Sequence, residues 1–171
     1  VKKLGPVGMK WLKIIHIILV ALFFGGIMSS LALNFGVKLA TYDETFETYK
    51  RIIIISDQII RIGAVGTLLV GFLYGMFTNW GFFKHRWVTV KWILFVGQTI
   101  LGIFIVDKLM MANMAILETE KARALVNPEF IQNQTIRQYA IIIQVAITIF
   151  IFCISVFKPW KKKKLVAKHS S

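Results

Sequence analysis

At 171 residues the chain has the length of one domain, yet 57% of it is apolar and only 17% charged, which excludes an ordinary soluble globule. The net charge of +13 would suit nucleic acid, but no base-reading or aromatic-interleaved motif accompanies it, so no nucleic-acid partner is expected. A single cysteine, Cys153, excludes a disulfide framework or a Cys-based zinc site within one chain.

Crossing about 30 Å of hydrocarbon takes about 20 mostly apolar residues, because every backbone N–H and C=O must be paired inside the segment. Four stretches qualify, approximately 11–35, 52–78, 87–109 and 137–157. They predict an all-α membrane protein, a four-transmembrane-helix bundle forming a single integral domain, with 158–171 as a basic tail.

The first span, Trp11 to Phe35, is longer than the apolar core of a signal peptide and is expected to remain as a helix. It carries His16 on one helical face with Leu12, Val20, Phe23, Ile27, Gly26 and Ser30. A histidine cannot snorkel far. Its imidazole is a ligand for haem iron or copper and a proton shuttle, or else a group hydrogen-bonded across helices. The pairs Gly25 and Ser29, Gly26 and Ser30, and Gly71 and Gly75 are small residues at the spacing that lets helices touch, so the first and second spans are expected to pack closely. Such seams also leave room for a homodimer or a place in a larger membrane complex.

The second span holds Asp57 and Arg61, one turn apart on one face, an ion pair that fixes packing or relays protons. The third opens with Lys91, which either snorkels to the headgroups or meets an anion, and carries Gln98 near its middle. Met110, Met111 and Met114 cluster at its far end, as packing or as soft ligands for copper(I). The polar stretch 111–136 contains Asn127-Pro128, which predicts a helix extension, a turn and re-entry into the fourth span. That span carries Gln144 and Cys153. By rise per residue, His16, Lys91 and Cys153 share one level, and Asp57 and Arg61 occupy the opposite one.

Charge placement gives orientation. The N-terminus, the middle loop and the C-terminus hold thirteen basic residues and no acidic one, whereas the opposite side has seven of each. The positive-inside rule therefore puts both termini in the cytoplasm of a cell (inner) membrane protein. Trp160 and the run Lys161 to Lys164 form an aromatic anchor backed by a polybasic segment, suited to anionic lipid headgroups.

The stretch Trp11-Leu12-Lys13-Ile14-Ile15-His16-Ile17-Ile18 with Val20 and Gly25-Gly26, and the opening Trp87-Val88-Thr89-Val90-Lys91 of the third span, resemble the HemJ-type protoporphyrinogen oxidases and the related copper-resistance protein D (CopD) group. That resemblance implies haem b binding at His16, with Lys91 as its catalytic or charge partner. Thr89 stands where HemJ usually has histidine, and Ile60-Arg61-Ile62-Gly63-Ala64 lacks the HemJ proline, which points to the wider CopD-like group. The readings are then a haem-binding oxidoreductase-like protein, a non-catalytic membrane subunit or scaffold, and a transporter of protons or metal past Asp57, Arg61 and Gln144.

Overall fold

The computed structural model describes residues 4–36, 41–77 and 85–160. Lys2, Lys3, Lys38, Lys84 and the run Lys161 to Lys164 lie outside the described residues. Four helices long and apolar enough to cross a membrane make up the bundle: α1 (Pro6–Gly36), α2 (Tyr42–Phe77), α3 (Arg86–Val126) and α4 (Pro128–Phe157). Among the described residues there is no strand.

Local chemistry sets the ends. Pro6 opens α1, where its missing N–H costs nothing. Thr41 caps α2 by accepting from the Glu44 N–H at 3.3 Å, and Asp43 and Glu44 in the first turn complement the helix dipole. The expected break falls at Asn127: α3 tightens into a 3-10 turn over Lys121–Val126, and Asn127 Oδ1 accepts from Glu129 N at 2.8 Å with Pro128 at the first helical position. The fourth helix thus begins nine residues before the apolar stretch at Arg137. The reason is that Asn127-Pro128 is a strong helix start in its own right. Likewise α2 begins ten residues before its span at Ile52 because Thr41 supplies the cap.

The helices run alternately up and down, with the Leu4 N–H reaching Phe77 O at the terminal pole, 3.2 Å. The contact of α1 with α2 is the closest. A side-chain Cβ on Gly63 would lie 2.5 Å from Phe23 N and 2.9 Å from Leu19 O, and one on Gly26 would lie 2.6 Å from Ile60. The expected seam therefore exists, but Gly26 meets Ile59 and Ile60, and Gly63 and Gly66 supply the small residues on α2. Gly71 instead faces Trp92 of α3, and Gly25 faces open space.

Each helix is longer than the hydrocarbon is thick: at 31 residues α1 extends about 46 Å. Counting about 20 residues from Trp11 and Trp87 places Leu31 and Asp107 at the far boundary. Beyond it, α2, α3 and α4 continue into a helical lobe with its own core of Tyr49, Ile52, Met110, Met114, Leu117, Ala124 and Phe130. Two of the three clustered methionines are therefore packing residues, while Met111 is exposed. A second core of Phe23, Ile27, Ala64 and Ile141 lies inside the bundle.

Candidate functional site

Polar side chains collect at four levels. At the terminal pole, His16 on α1 meets the edge of Tyr74 on α2, with ring centroids 5.8 Å apart and planes at 77°. His16 is partly buried, and its Nδ1 is buried with no hydrogen-bond partner among the described residues. Lys91, on α3, lies at the same pole. Its ammonium sits 4.9 Å from the centre of the Trp87 ring, and Lys158 approaches the same ring at 5.9 Å. The fold thus brings His16 and Lys91 into one neighbourhood. Cys153 is exposed on the outside of the bundle and does not join them.

Midway, Gln98 and Gln144 pin α3 to α4. Gln144 Nε2 donates to Gln98 O at 3.0 Å, and the Thr148 hydroxyl donates to Gln98 Oε1 at 3.0 Å. Gly102 makes room, since a Cβ there would lie 2.9 Å from Gln144 Nε2.

At the far boundary Arg61 Nη1 pairs with Asp57 Oδ1 at 2.9 Å and its Nη2 lies 3.4 Å from Asp107 Oδ2. The Ser56 hydroxyl donates to Asp107 Oδ1 at 2.8 Å. Asp107 is the member that sequence reasoning missed, because a carboxylate two residues from the end of a span reads as an interfacial charge. Both helices depart from α geometry here, with π-helical turns at Ser56–Ile60 on α2 and Gly102–Asp107 on α3. Such turns are frequent where a helix is shaped around a function. Between them lies a small hollow of about 60 Å³, open on one side. Residues of both π turns line it together with Ser30, Thr99 and Gln144.

Above the hollow sits a polar network that the sequence did not reveal. Arg137 is fully buried, hydrogen-bonds Asn34 Oδ1 and stacks on Tyr49. The Tyr49 hydroxyl donates to Gln134 Oε1 at 2.7 Å and accepts from Asn113 Nδ2 at 2.9 Å. All four helices contribute. Arg137 reads as a headgroup charge in the sequence because it opens an apolar stretch; only the lobe built by the helix extensions buries it.

A sequence profile of predicted integral membrane proteins, DUF2269, matches residues 10–159. The chain belongs to this family. The match runs from before Trp11 to the end of α4, so the DUF2269 region reaches into all four helices and takes in all four polar levels. No curated protein and no solved structure matches the chain.

The donor set of this DUF2269 protein narrows what it could hold. Among the described residues there is no group of three or more His, Cys, Asp or Glu side chains placed to bind a metal ion. At the His16 level the described residues offer one imidazole and the Lys91 cation.

Proposed function

We propose that the protein is a membrane redox protein that holds one haem b at the terminal pole of the bundle, with His16 as the axial ligand and Lys91 facing a propionate. The observation that supports this is the buried Nδ1 of His16, which has no hydrogen-bond partner among the described residues. A buried nitrogen without a partner costs free energy, and a ligand removes that cost. Lys91 adds the charge a carboxylate would pair with, its ammonium standing over the Trp87 ring. Haem bound there would supply one-electron chemistry. Tyr74 holds the imidazole edge-on. The excess of basic residues at this pole supports a cytoplasmic position for it and for both termini, in a cell membrane. Resemblance to the CopD and HemJ groups points the same way.

The experiment is the visible spectrum of protein purified from haem-replete cells. A Soret band that vanishes in His16→Ala, with thermal unfolding unchanged, supports the reading. A colourless wild-type protein sinks it.

A second reading, a non-catalytic membrane scaffold, is favoured by the Arg137–Asn34–Tyr49–Asn113 network, which joins four helices and serves packing. It predicts that complexes assembled by the chain dissociate when Asn34, the hydrogen-bond partner of Arg137, is replaced by Ala, whether or not His16 is intact.

A further inference from the structure

The hollow between the two π-helical turns plays no part at the His16 level, and its polar groups stand at two ends of a mainly apolar wall. Asp107, held by Ser56 and Arg61, occupies the far-boundary end. Gln144 occupies the inner end against Gly102, where its Nε2 donates to Gln98 O at 3.0 Å and keeps a second N–H beside the carbonyl oxygen. The hydroxyls of Ser30 on α1 and Thr99 on α3 belong to the same lining.

Size and spacing agree on one occupant. The hollow encloses about 60 Å³, and each water molecule takes about 30 Å³ in the liquid, so it has room for about two. Gly102 and Asp107 are five residues apart on α3, which separates the polar ends by about 7 Å. One bridging water reaches across about 5.6 Å with two hydrogen bonds, whereas two in series reach about 8 Å and close the gap with a bend.

Chemistry selects the same molecule. The carboxylate end takes a donor and the amide end takes either a donor or an acceptor, so the occupant must do both. Water is the smallest neutral molecule that does. It also offsets the cost of turning a carboxylate and an amide toward apolar walls. Arg61, whose side chain is more than half exposed, is part of the lining and sets one edge of the hollow at the membrane boundary, where water enters.

We propose that the hollow holds two waters in series between the Asp107 carboxylate and the Gln144 amide. They carry hydration from the far boundary into the middle of the bundle, and they join the Asp57–Arg61–Asp107 cluster to the Gln98–Gln144–Thr148 level. The site stands apart from His16 and is read without haem.

The neighbouring methionines supply the test. Met110 is buried and lines the hollow, Met114 is buried in the lobe core and does not line it, and Met111 is exposed. Microsecond X-ray pulses split water in place into hydroxyl radicals, which oxidise a methionine to its sulfoxide where water stands against it. With the full chain in nanodiscs, oxidation is expected at Met111 and Met110 and not at Met114. Ser30→Leu fills the hollow with aliphatic carbon and is expected to abolish oxidation at Met110 while leaving Met111 unchanged. Gln144→Leu removes the inner polar end at similar bulk, is expected to cause the same loss, and decides the matter if thermal unfolding shows Ser30→Leu to be misfolded. An unoxidised Met110 beside an oxidised Met111 in the wild type overturns the proposal, since the hollow would then be dry or filled by lipid carbon. Equal oxidation of Met110 and Met114 overturns it too, because water would then be reaching both through an opening of the lobe. So does Met110 oxidation that persists in both folded variants.

Discussion

The guanidinium of Arg137 lies 4.9 Å from the centre of the Tyr49 ring, and neither side chain has any exposed surface. The cation is held by a ring face and by one amide oxygen, that of Asn34. No carboxylate pairs with it among the described residues, and its Nε and Nη1 have no hydrogen-bond partner. A buried charge with so few partners is a burden that its few contacts must offset.

That balance makes a prediction of sign. Asn34→Ala keeps the charge and removes its hydrogen-bond partner, and is expected to cost about 2–3 kcal/mol. Arg137→Met removes the charge together with its two unsatisfied nitrogens while keeping the volume, and is expected to stay within about 1 kcal/mol of wild type. Unfolding of the purified variants in mixed detergent micelles ranks them. If Arg137→Met proves the more damaging, the guanidinium has a counter-charge that the arrangement described above lacks.

The four spans were legible because hydropathy alone encodes them, and the stop at Asn127-Pro128 because cap chemistry is local. The Asp57–Arg61 spacing was also readable on one helix. What could not be read is what needs two helices at once. Asp107 joins that pair only because α2 and α3 place their π turns at one height. Arg137 becomes a buried residue only because three helix extensions close around it. The close approach of α1 to α2 was expected from Gly26 and Ser30, yet Gly63 and Gly66, three residues apart, escape a search for small residues four apart.

Gly63 gives the sharpest packing test. An added methyl would collide with the Phe23 backbone, 2.5 Å from its nitrogen and 2.8 Å from its Cα, and backbone cannot rotate aside. Gly63→Ala is therefore expected to destabilise the bundle by about 1–3 kcal/mol. Gly25→Ala, where nothing lies within 4 Å, should leave stability unchanged or slightly raised, since alanine favours helix. Equal effects of the two substitutions in thermal unfolding would contradict the α1–α2 seam.

The two carboxylates beside Arg61 should also differ. Asp107 has a side chain 23% exposed and accepts from Ser56, whereas Asp57 is 42% exposed with Arg61 as its ion-pair partner. Replacing Asp107 by Ala leaves a mainly buried hydroxyl without its acceptor and is expected to cost about 1–3 kcal/mol. Asp57→Ala removes a half-exposed pair and is expected to cost less than about 1 kcal/mol. Chemical unfolding of both variants decides it, and the reverse order would mean that Asp57 carries the cluster.

Lys91 offers a test that a merely structural role would not pass. If haem is bound at His16, a nearby ammonium favours the ferrous over the ferric state, because the reduced iron carries less positive charge. Lys91→Met is then expected to retain the Soret band and to lower the midpoint potential. A unit charge contributes about 1–2 kcal/mol at an effective dielectric of about 20, which is on the order of tens of millivolts for one electron. Lys91→Arg keeps the charge and should stay near the wild-type potential. Because Lys91 packs over Trp87 beside a partly buried imidazole, added salt should screen this shift only weakly. A potential that is the same in wild type, Lys91→Met and Lys91→Arg, with the Soret band intact in all three, would place Lys91 among the snorkelling lysines and leave His16 to act without it.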